Sequence, residues 1–220
     1  MHALGILENY TKMHYWREDY FQTLRKAAGD AVCESPSWQD YADYCLEYER
    51  GLRSQAFLIL GRFISRLERE PFEERRRFVS WLMQTADEQK GSHMLVPHAL
   101  RVRIVEPTLL EWTEAEPRNS EPHRWTGGLE HLERAVELDP SDCIALRKLV
   151  IQLLSGVSYA THELPAGYLG STSEDLAILK KAEALLPRLA NEDDRAAYAA
   201  DIAEERHAIH EYLLRQKPTS

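Results

Sequence analysis

The sequence predicts an all-α protein, an irregular antiparallel array of about eight to nine helices. Three observations lead there. Apolar residues recur every three or four positions over long stretches, which is the period of a single helix face. Prolines and glycines gather between those stretches, where helices start and stop. Period-two alternation is confined to Leu100, Val102 and Ile104, a segment with no partner strand elsewhere.

Taken in order, Ile6, Tyr10, Met13, Trp16, Tyr20 and Leu24 predict a helix over about 5–28, ended by Gly29-Asp30. A longer stripe follows: Trp38, Tyr41, Cys45, Tyr48, Leu52, Ala56, Ile59, Phe63 and Leu67. It predicts one continuous helix over 37–69, capped by Ser37 and on the order of 50 Å long. Gly51 and Gly61 within it mark kinks or close approaches of a neighbouring helix. Pro71 suits the first turn of a third helix, whose apolar face is Phe72, Phe78, Val79, Leu82 and Met83, running to about Lys90-Gly91. A lone strand at 97–116 is rejected in favour of two short helices divided at Pro107. Residues 117–126, with two prolines among polar side chains, read as a loop.

A short helix over 128–138 stops at Asp139-Pro140, and Ser141 is placed to cap the next, which is apolar on most of its circumference and therefore the most buried. A second long loop covers 156–172. Two helices close the chain, about 173–189 and 191–216, with Leu176, Leu179, Ala182 and Leu186 inward on the first and Tyr198, Ile202, Ile209 and Leu213 on the last. Length fits a single domain over 1–220, which can be subdivided into 1–116 and 127–220.

Hydrophobic residues make up 44% of the chain and charged residues 29%, which excludes the disordered and collagen-like classes. The formal charge of −9 argues against a nucleic-acid partner, because phosphate binding is largely electrostatic. It is unevenly spread: residues 106–142 alone carry a net −7. Three cysteines without CxxC spacing point to reduced thiols and a cytoplasmic setting. The N-terminus lacks the basic, apolar pattern of a signal peptide. The longest purely apolar run is 56–60, far below the roughly 20 residues of a spanning helix, so no membrane partner is expected.

Gly128, Leu132, Ala135 and Pro140 stand at offsets where a small residue, a large apolar one, an alanine and a closing proline recur in one repeat type. On these residues the segment 128–140 resembles the second helix of a tetratricopeptide repeat, and 141–155 resembles the first helix of a following one. Trp112 sits where that repeat's tryptophan would fall, while the 117–122 loop replaces the helix that should precede Gly128. No 34-residue period recurs elsewhere. The resemblance implies a TPR-like helix pair and a protein-binding scaffold, with no catalytic residue.

Several constellations could carry chemistry. Glu204 and His207 form an ExxH string, extended by His210 and Glu211, the pattern that di-iron bundles use from two helices. Glu204, His207 and Glu211 fall within about 60° on a helical wheel, opposite the apolar stripe, so they face solvent, and no second ExxH exists on a helix. His162 beside Glu163, with Tyr159 and Tyr168 nearby, could serve acid–base chemistry; the alternative is that the tyrosines pin the loop and His162 caps a helix end. Glu73-Glu74-Arg75-Arg76-Arg77 suggests ion pairs within a helix rather than an RNA patch. No nucleophile motif, phosphate loop or cofactor signature is present.

The expectation is therefore a non-catalytic cytoplasmic interaction protein without a cofactor, masking a basic protein partner. Its binding residues would be Trp125, Glu130, Glu133, Glu137, Tyr159 and Tyr168. The alternatives are an enzyme using His162 and Glu163, and a structural subunit of a homo-oligomer.

Overall fold

The structure is a computed structural model, and the description covers residues 18–89 and 92–216. Ten α-helices and no strand occur among these residues. The chain divides at 117/118 into two compact units, each described by itself.

In the first unit, α1 spans Glu18–Glu34. It does not end at Gly29-Asp30: Gly29 lies within it, and nothing approaches the place its side chain would occupy. The stop comes at Ser35-Pro36, where a short 3₁₀ turn begins. The part of the predicted first helix before Glu18 lies outside the described residues.

The predicted continuous helix over 37–69 is two helices, α2 (Gln39–Glu49) and α3 (Arg53–Leu67). Gly51 takes a left-handed φ of 81°. There the Leu52 N–H donates to the Glu47 carbonyl (2.9 Å) and the Gly51 N–H to that of Tyr48 (3.0 Å), the paired bonds of a Schellman termination. Gly61 stays inside α3. Ser37 is not the cap; its hydroxyl pairs with that of Ser35 at 2.8 Å.

α4 spans Phe72–Glu88, with Pro71 as its N-cap. Its Phe78 meets Trp38, Tyr41 and Phe63 edge-on at 4.9–5.3 Å between ring centres, the aromatic heart of this unit. Buried tyrosines need partners, and both have them: Tyr41 donates to the Leu95 carbonyl (2.9 Å) and Tyr44 to that of Met94 (2.6 Å).

Residues 97–116 form one helical run, α5, composed of His98–Leu100, a π-helical turn over Arg101–Val105, and Glu106–Ala115. The division expected at Pro107 is thus absorbed without a loop. A proline at that place would press on the carbonyl four residues back in a regular α-helix. The wider turn just before it instead sends the Glu106 N–H to the Arg101 carbonyl.

The second unit opens with a further correction. Residues 117–126 are not a loop: α6 spans Ser120–Thr126, with the Asn119 side chain capping the Glu121 N–H at 2.9 Å. Gly127 and Gly128, both with positive φ, turn the chain into α7, Leu129–Leu138. α8, Cys143–Thr161, is longer than expected, so the following loop is confined to 162–171. Its cap is Asp142 rather than Ser141: the Asp142 carboxylate accepts the Ala145 N–H at 2.9 Å. α9 (Thr172–Leu185) and α10 (Glu192–Arg215) complete the unit.

α8 is the central element. It packs on α6, α7, α9 and α10, and consecutive helices of this unit pack on one another. Its Leu146, Leu149, Val150, Leu153, Leu154 and Val157 join Leu132 and Ala135 of α7, Leu179 and Ala182 of α9, and Ile202 and Ile209 of α10 in one core. That placement accounts for its composition. Among the described residues it is the one helix apolar and long enough to cross a membrane, and much of its apolar surface is spent inside the unit.

Candidate binding surfaces

The acidic stretch 106–142 does not lie in one body. Its first part belongs to α5 in the first unit; Glu121, Glu130, Glu133, Glu137, Asp139 and Asp142 belong to the second. Helical spacing puts Glu130, Glu133 and Glu137 on the outer side of α7, opposite buried Leu132, Ala135 and Val136. Glu133 is tied to Lys181 of α9, and Glu137 pairs with Arg134 of its own helix at 3.2 Å. Glu130 is exposed, next to the exposed Leu129.

Trp125, grouped with these glutamates in the sequence, is only 5% exposed. Arg124 and Lys148 lie over its ring at 4.5 and 4.9 Å, and its Nε1–H donates to Glu121 at 3.2 Å. Beside it, Arg124 donates to both oxygens of buried Asp142 at 3.0 Å, locking α6 to the start of α8. His123 of α6 and His131 of α7 close the same corner, their Nδ1 atoms 3.1 Å apart. His123 is buried, and desolvation, with His131 and Arg134 adding to it, holds its imidazole below the ordinary value.

The second surface surrounds the 162–171 loop. His162 is the C-cap of α8, as one of the two sequence readings had it, and both its ring nitrogens are engaged. Nδ1 meets the Tyr159 carbonyl, and Nε2 lies 3.1 Å from Glu163. His162 and Glu163 are exposed. Of the two tyrosines expected to pin the loop, only Tyr168 does so. Its hydroxyl donates to Asp175 at 2.6 Å and its ring stacks on Tyr212 at 5.4 Å. Burial, then the Asp175 carboxylate, pushes the Tyr168 hydroxyl well above the ordinary phenol range. Tyr159 is 69% exposed and its ring lies tilted against that of His162 instead, 5.1 Å between centres.

Opposite the loop, the polar side of α10 carries the ExxH residues. Glu204 and His207 are exposed, as the wheel placed them, while Glu211, placed with them, is half-buried; His210 is exposed as well. No group of three His, Cys, Asp or Glu side chains among the described residues is arranged to hold a metal ion. Glu205, which was not singled out, accepts a hydrogen bond from Thr161 at 2.6 Å and ties α10 to the end of α8. Glu211 contributes to a cleft of about 220 Å³ between loop and helix, lined by Leu164, Pro165, Ala208, Glu211, Tyr212 and Arg215. His162 and Glu163 are not among its lining residues.

The Glu-Glu-Arg-Arg-Arg run of α4 is engaged as expected within its helix, Arg76 to Glu73 at 2.7 Å and Arg77 to Glu74 at 3.7 Å. It is also held by α5, through Arg75 to Glu111 (2.7 Å) and Arg76 to Glu116. Asp142 could have been found in the sequence, since aspartate before an apolar helix is as good a cap as serine. Asp175 and the cleft carried no local signal. No family model, curated protein or solved structure matches the chain.

Proposed function

We propose that the chain is a non-catalytic protein-interaction module whose second unit is a degenerate, TPR-like helical stack, and that the outer face of α7 engages a basic protein partner. The packing order supports the repeat reading. α6 and α10 both touch α8, while α7 and α9 alternate with them along the chain, which is how paired helices stack in a solenoid. Leu132 and Ala135 of α7 are buried and Pro140 follows its end, which supports the same reading, whereas Gly128 serves the turn with its positive φ and has no close neighbour. The observation that carries the surface is the outward row Glu130, Glu133 and Glu137, beside exposed Leu129. Charge complementarity there would speed encounter and fix the choice of partner. Exposed free thiols at Cys33 and Cys143 fit a reducing, cytoplasmic setting.

The test is affinity capture from native lysate at low salt with wild type and with E130K/E137K. Glu133 is left intact because its contact with Lys181 also joins α7 to α9. A stoichiometric basic protein that is released by moderate salt and lost with the variant supports the reading. Equal retention by both forms contradicts the assignment of this face.

A further inference from the structure

The cleft between the 162–171 loop and α10 has the features of a small-molecule site built before any ligand arrives. Its loop wall is fastened at both flanks: Thr161 to Glu205 at 2.6 Å on one side, Tyr168 to Asp175 at 2.6 Å and to the Tyr212 ring on the other. The Leu169 N–H also donates back to the Ala160 carbonyl at 3.1 Å. Leu164 and Pro165 form an apolar wall, facing Ala208 and the Tyr212 ring. Two opposite charges, Glu211 and Arg215, line the same opening one helical turn apart. Their contact is loose, 3.8 Å between Nη2 and Oε2, with side chains 61% (Arg215) and 46% (Glu211) exposed, so both retain hydrogen-bonding capacity toward a ligand.

We infer that this cleft binds a free apolar α-amino acid, its ammonium on Glu211, its carboxylate on Arg215 and its side chain against Leu164, Pro165 and Tyr212. Adjacent opposite charges are matched by a zwitterion, whereas an internal residue of a peptide brings no charge for either. A pocket of about 220 Å³ admits a molecule the size of leucine or phenylalanine. Apolar walls with a few converging polar groups are the usual make-up of such sites. The inference is independent of the α7 face and survives its failure.

Titration of the intact protein with L-leucine and L-phenylalanine, followed by saturation-transfer NMR and calorimetry, tests it. Saturable binding is expected, with dissociation constants of about 0.1–5 mM for so small a ligand. N-acetyl-leucine and leucinamide, each lacking one charge, should bind about tenfold more weakly or worse, as should leucine to E211Q and R215M. A208W, which fills the cleft from a half-buried position in its wall, should abolish binding while leaving the circular dichroism spectrum unchanged. Absence of binding at these concentrations overturns the proposal. So does equal binding of leucine and its blocked derivatives, or binding that folded A208W retains.

Discussion

Cys45 lies wholly inside the aromatic core of the first unit, where burial pushes its thiol up to about 12. Cys33 and Cys143 are exposed. Thiolate is the reactive form, so a native-state thiol titration should count two fast groups, with the third appearing only on denaturation. The His123–His131 contact gives a pH prediction with a definite sign. The folded chain holds His123 neutral below the ordinary histidine value of 6.5, so the unfolded chain binds the proton more readily. Stability is therefore fully present above the unfolded value and falls as pH drops through it toward the lowered folded one. Urea midpoints should decline from about pH 7.5 to 5.5, and His123→Gln should flatten that slope. Contacts of this kind were not legible in the sequence. His123 and His131 are eight positions apart and meet only because Gly127 and Gly128 reverse the chain; Tyr168 finds Asp175 only once the loop has packed.

Gly51 and Gly61 looked alike in the sequence and differ in the fold. Neither has an atom within 4 Å of its missing side chain, so substitution tests the backbone alone. Gly51→Ala should destabilise by about 1 kcal/mol, because an L-residue is strained at φ 81°. Gly61→Ala should instead stabilise by about 0.5–1 kcal/mol, because the residue is helical. Chemical unfolding of the two variants checks both signs. The turn at Gly51 was invisible because Tyr48, Leu52 and Ala56 keep four-residue spacing across it. Leu52, counted in the stripe, is in fact 53% exposed. The helical content, by contrast, was legible, since most predicted apolar faces are the buried ones. Among the misjudged boundaries, α6 and the end of α8 lie where prolines and glycines suggested loops but an Asn119 cap and core packing won. Asp142→Ala removes a cap and leaves half-buried Arg124 with only its looser contact to Glu121 at 3.6 Å; a loss of about 2–3 kcal/mol is expected on equilibrium unfolding.

At the scale of the whole chain, the net charge of residues 106–142 is shared between two compact units. A single acidic patch read along the sequence is therefore two local features, one of them the α7 row. The most direct measurement compares the affinity of a captured basic partner for wild type, E130K/E137K and E70K/E114K at low and moderate salt. The last variant makes the same change in net charge on exposed residues of the first unit. If the α7 face is the binding surface, E130K/E137K should lose about tenfold or more in affinity at low salt, E70K/E114K should lose little, and added salt should weaken wild type most. Equal losses for the two variants would mean that only overall charge matters, and the assignment of α7 would fall.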